Sequence, residues 1–146
     1  MPKSLLDARA RQELLDRLDH LTPGAIPQWG TMTAPQMLAH LTDWMLMAKG
    51  ELKVALKNRP QRYPPLKQLM VYWLPFPKGI PTSPELVGRR PLEWSLERAA
   101  VRKHVESFKN PKAMWPEHPV FGKMTPRAWS VFAYRHMDHH LRQFGI

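Results

Sequence analysis

Thr125-Pro-Arg-Ala-Trp-Ser-Val-Phe-Ala-Tyr-Arg-His-Met-Asp-His-His-Leu-Arg-Gln-Phe-Gly145 is the stretch on which the fold turns. Threonine followed by proline is a helix start: the hydroxyl caps a free N–H, and proline lacks the N–H the first turn cannot use. From there Trp129, Phe132, Ala133, His136, His140 and Phe144 recur at steps of three and four, one stripe of a helix over 126–144. His136 and His140 are one turn apart, and Gln143 falls three positions further on. Imidazoles so placed stand one above the other on a rigid support, so both can reach a single divalent ion. An open, reactive site needs a third ligand, and His40, on a different helix, is the candidate.

The remaining chain supplies that helix with partners. Thr33 caps a second helix over 34–49, with Pro35 in its first turn and Met37, Leu38, Leu41, Trp44, Met45 and Ala48 on its apolar face; Gly50 stops it. Ser4 is read as the cap of a helix over 5–21, carried by Leu5, Leu6, Leu14, Leu15, Leu18 and Leu21 and ended by Thr22-Pro23-Gly24. Another runs over 92–108 with Leu96, Ala99, Ala100 and Phe108 inward. Between them, Pro60, Pro64, Pro65, Pro75, Pro77, Pro81, Pro84 and Pro91 leave only Leu66 to Leu74 free to be helical. Four substantial helices without an alternating strand predict an all-α bundle, one domain over 1–146, and the long 50–91 connection allows a crossover. Tyr63, Tyr72, Trp73 and Phe76 mark the proline-rich part as an ordered loop over the bundle end, since a flexible linker would not carry them.

Composition narrows the function. There is no cysteine, which removes thiol catalysis by the chain itself, cysteine-type zinc sites and disulfides. The N-terminus lacks an apolar core of signal-peptide length, and no stretch approaches the roughly 20 apolar residues of a membrane span, so the reading is soluble and cytoplasmic, with no membrane partner. A net charge of +10 raises anionic partners. The basic residues are scattered, however. The densest groups, Arg59/Arg62/Lys67 and Arg89/Arg90, read as a solvated positive surface or as a rim that attracts an anionic small molecule; no nucleic-acid module is present.

Several other candidate residues keep more than one reading. Asp43, one turn after His40, orients a water, takes its proton, or pairs with an arginine. His118, between prolines in the Trp115–Gly122 loop, is a structural hydrogen-bonding residue or faces the pocket, and Trp73, Trp115 and Trp129 with Gln143 are read as pocket walls. His139 supports the stripe from beside it or lies on the surface; His20 is a helix-end residue, and His104 lies on the surface or at its boundary. A zincin helix is excluded because Met137 stands where the catalytic glutamate would follow the first histidine. Di-iron carboxylate bundles are excluded by the missing Glu-x-x-His pairs.

Trp29-Gly30-Thr-Met-Thr-Ala-Pro-Gln36-Met-Leu-Ala-His40-Leu-Thr-Asp43 and His136-x-x-x-His140-x-x-Gln143 resemble the second-helix opening and the last-helix signature of the DinB-like metalloprotein superfamily. Leu74-Pro-Phe-Pro-Lys-Gly-Ile-Pro-Thr-Ser-Pro84, His118-Pro-Val-Phe-Gly122 and Asp138-His-His-Leu-Arg-Gln-Phe-Gly145 are similar to one bacterial branch of it, a domain of unknown function. The resemblance implies a DinB-like four-helix bundle with a crossover connection, His40, His136 and His140 around zinc or nickel, and a homodimer as the default assembly. It also implies relatives that use low-molecular-weight thiols as nucleophiles; here such a thiol comes from outside, because the chain has none. The resulting expectation is a metal-dependent enzyme activating water or an exogenous thiol, of transferase or hydrolase type. The alternative is a non-catalytic module that binds a metal or an anionic ligand.

Overall fold

The computed structural model describes residues 2–79, 81–111 and 115–146. Ile80, in the proline-rich motif, falls outside them. Among the described residues there are five α-helices and no strand: α1 Ala8–Leu18, α2 Ala34–Ala48, α3 Leu66–Tyr72, α4 Trp94–Glu106 and α5 Pro126–Gln143. None of these helices is long and apolar enough to cross a membrane.

The helix starts follow local chemistry. Thr33 and Gln36 form a reciprocal capping box at the head of α2, and Thr125 Oγ1 accepts from Ala128 N at the head of α5. The first helix corrects the sequence reading: Asp7, not Ser4, is its cap, accepting from Arg9 N. Leu5 and Leu21 are buried outside α1, so the leucine pattern outruns the helix. Ser4 Oγ instead accepts from Leu6 N, and the buried Arg11 guanidinium donates to the Leu5 and Leu6 carbonyls, closing that turn.

α2 packs on α4 and α5, and α1 packs on the same two helices from the other side. The buried apolar residues form one cluster drawn from all of these, with Trp129, Leu38, Leu41 and Leu141 essentially sealed from solvent. Each such side chain contributes about 1.5–3 kcal/mol through burial.

The inward face of α4 is a second correction. Leu96 is 58% exposed and Ala99 is exposed as well; the buried positions are Glu97, Val101 and Val105, followed by Phe108. The helix is turned so that a glutamate faces inward, which is tolerable because Arg89 Nη2 lies 2.9 Å from its Oε2. The crossover carries that arginine. It is ordered against the helices: α3 packs on α5, and the 3-10 turn Pro84–Leu86 packs on α2. Arg135 of α5 donates to the carbonyls of Met70 (2.8 Å), Val71 (2.6 Å) and Leu74, groups that α3 leaves free at its end.

Candidate metal centre

Packing of α2 on α5 brings His40 to the His136–His140 stripe. His136 Nε2 lies 3.1 Å from His40 Nε2 and 3.2 Å from His140 Nε2. The three potential ligand atoms all fall within 4.8 Å of one another. Two nitrogens at ~2.0–2.1 Å from one tetrahedral ion would stand about 3.3 Å apart, so both short spacings suit a shared ion.

The outer nitrogens explain why these three face inward. His40 Nδ1 is 2.9 Å from the Leu86 carbonyl, and His140 Nδ1 is 2.8 Å from Gln143 Oε1. Gln143 is itself held by donating from Nε2 to the Trp29 carbonyl at 3.0 Å. Carbonyl oxygens only accept, so both Nδ1 atoms carry the proton, and both Nε2 atoms present lone pairs. His136 Nε2 has at most one hydrogen to offer and two lone pairs facing it. Three neutral imidazoles therefore cannot satisfy both contacts among themselves, whereas one divalent cation would.

The rings are held neutral, as ligation requires. Burial lowers the His40 pKa against the opposing pull of the Leu86 hydrogen bond and Asp43. Burial, and then the neighbouring His140 and His40, take His136 well below the ordinary value. His140 is pushed down to about 3 by burial and His40, with Gln143 acting the other way. Trp44 lies 4.9 Å from the His136 ring and Phe76, from the crossover, 6.2 Å, so one flank of the cluster is aromatic.

Against this geometry stands a match along nearly the whole chain: the family described as "Protein of unknown function (DUF1569)" covers residues 2–145. The chain belongs to the DUF1569 family. No curated protein and no solved structure matches it significantly.

In this DUF1569 chain the other expected site residues take different places. Of the readings open for Asp43, the arginine pair is the one observed: Arg89 Nε donates to its Oδ1 at 3.0 Å. His118 is buried in its own turn, where Nδ1 accepts from Val120 N and Phe121 N and the backbone pairs with Gly122. Burial, and then Lys67, lower its pKa to about 3. It is not one of the three converging nitrogens.

Trp129 is fully buried in the core and stacks at 6.0 Å on Trp115, which is partly buried, packs against that core and in turn meets Phe108. Trp73, also read as a wall, is 65% exposed. Gln143 stands behind His140 as its hydrogen-bond partner. His139 is half-buried between Trp29 and Phe76. His20 bonds the Asp16 carbonyl and His104 sits beside Lys49, neither at the cluster.

Three contributors escaped sequence reasoning: Leu86, whose backbone orients His40; Trp29, whose carbonyl anchors Gln143; and Arg89, which ties the crossover to α2 and α4. The partner of Arg89 on α4, Glu97, left a faint signal, since it precedes Val101 and Val105 by about one and two turns.

Proposed function

We propose that this protein is a divalent-metal-dependent enzyme whose ion, zinc or nickel, is held by His40, His136 and His140. The observation that carries the reading is the pair of bare Nε2 lone pairs, on His40 and His140, fixed from behind by Leu86 and Gln143 and aimed at His136. An ion held by three neutral imidazoles would keep its full charge and would supply the acidification of a water or thiol. The chain's own residues do the rest. Gln143 and the Leu86 carbonyl hold the ligand tautomers, and Trp44 and Phe76 exclude water from one flank. The nucleophile comes from outside, as water or a low-molecular-weight thiol, because the chain has no cysteine.

The same reading places the chain among DinB-like proteins, as a single four-helix bundle with a crossover. Support comes from the reciprocal packing of α1 and α2 on α4 and α5, and from the histidine spacing. A homodimer in the cytoplasm acting on a small molecule completes the proposal. The test is elemental analysis of protein purified without chelator or affinity tag, followed by zinc titration of wild type and His136→Ala. Wild type should take up one ion per chain with micromolar or tighter affinity and the variant should lose it. Equal uptake by both ends the assignment.

A further inference from the structure

A pocket of about 230 Å³ opens beside His40, between α2 and the crossover stretch that follows the Pro84–Leu86 turn. His40 lines it, so the pocket adjoins the residue whose Nε2 reaches the histidine cluster. It is smaller than the roughly 300–1,000 Å³ of cavities that enclose whole ligands, and it suits one arm of a molecule.

Leu86, Val87 and Met32 give it apolar surface, while Asp43 and Arg89 give it charge. These two are not used up by each other. Arg89 spends Nε on Asp43 Oδ1, and Nη2 on Glu97 Oε2 and the Ala39 carbonyl. Among the described residues Nη1 has no partner, and neither has Asp43 Oδ2, on a side chain that is only 7% exposed. The pocket wall therefore carries a guanidinium N–H group and a carboxylate oxygen that are both unpaired among the described residues, together with the polar side chains of Thr31 and Gln36.

We infer that this pocket is a subsite for a neutral group carrying both a donor and an acceptor, a carboxamide or peptide-type amide, on a molecule whose other end is taken at the three histidines. The inference rests on the proposed metal-site reading. A carboxylate arm would meet Arg89 but face Asp43 with Glu97 behind it, two negative groups against one positive. An ammonium arm would meet Asp43 but face the guanidinium. An amide donates its N–H to the carboxylate and accepts from the guanidinium, matching both. The overall charge of +10 points to an anion; the wall of this pocket does not.

Cobalt-loaded protein is titrated with 3-mercaptopropionamide, 3-mercaptopropionate and cysteamine, which share a thiol anchor and differ in the second group. Binding is read from the cobalt absorption, and cobalt uptake is measured on every variant. The carboxamide should bind about 10- to 100-fold more tightly than either charged analogue, the fold-change of one or two hydrogen bonds to charged groups. Asp43→Asn should shift the carboxamide-to-carboxylate ratio at least tenfold toward the carboxylate, and Val87→Trp, which adds bulk at a lining position outside the ion pairs, should abolish the preference. Ratios between variants cancel the different acidities of the thiols. Cobalt uptake with equal affinity for all three thiols, or a preference that both variants leave unchanged, overturns the subsite while the histidine assignment stands. Absence of cobalt uptake by wild type overturns both.

Discussion

Gly30→Ala should weaken metal binding although residue 30 is not among the three histidines. Gly30 has φ +76°, and a Cβ added there would come within 2.8 Å of Gln143 Nε2. That atom is the end of a side chain held at two points, donating to the Trp29 carbonyl while Oε1 accepts from His140 Nδ1. The side chain can retreat, and retreat breaks the hydrogen bond that fixes the His140 ring. Loss of such a supporting bond typically costs 10- to 100-fold in metal affinity, or about 1.4–2.7 kcal/mol. The left-handed backbone adds roughly 1–2 kcal/mol of lost stability once a Cβ is present.

Gly50→Ala separates the two effects, since its φ is +78° and the nearest atom to its Cβ is Pro116 Cγ at 4.0 Å. Both alanine variants should lose similar stability in urea, and only Gly30→Ala should lose zinc affinity in competition with a chromophoric chelator. Combined with Gln143→Ala, Gly30→Ala should add little, because both remove the same bond. Wild-type zinc affinity in Gly30→Ala, with a clear loss in Gln143→Ala, would refute this reasoning.

Arg89→Met leaves the buried carboxylates of Asp43 and Glu97 without their cation and should destabilise the protein by about 3 kcal/mol in urea unfolding; adding Glu97→Gln should recover part of it. Acid should unfold the metal-free protein early. His118 and His140 have folded pKa values of about 3 against an ordinary 6.5, so below pH 6.5 the unfolded chain takes up protons first. Stability is then complete above about pH 6.5 and falls toward pH 3, by up to ~1.4 kcal/mol per pH unit for each histidine. By pH ~4.5 the two together remove about 5 kcal/mol, comparable to the whole margin of many domains. A stability that stays flat between pH 6.5 and 4 in urea titrations would contradict the assignment of these rings as buried and neutral.

The histidine cluster was legible because its parts are local. His136 and His140 are fixed relative to each other by one helical turn, and His40 stood out as an imidazole on the apolar face of α2. The capping chemistry of Thr33 and Thr125 is also local, and both helices begin where it predicts. What could not be read depends on partners far along the chain. Gln143 lay on the predicted stripe, but its role appears only once the Trp29 carbonyl, 114 positions away, is placed beside it. The face of α4 was misread for a related reason. Leu96 and Ala99 look more buriable than Glu97 until Arg89, in a loop that reads as solvated, is found paired with the glutamate. The first turn of α1 was misplaced because leucines are buried by turns as readily as by helices.

The atom that orients His40 belongs to the main chain of residue 86, not to any side chain. Every amino acid brings that oxygen, so the hydrogen bond to the imidazole does not depend on which side chain residue 86 carries, although the buried Leu86 side chain has its own place in the core. It does depend on the path of the crossover. A one-residue insertion or deletion between Pro84 and Arg89 would carry the oxygen out of register with the ring, even if it removed nothing that a search for ligand residues would notice. The segment of this protein that looks most replaceable is constrained in its length as well as at Leu86 and Arg89.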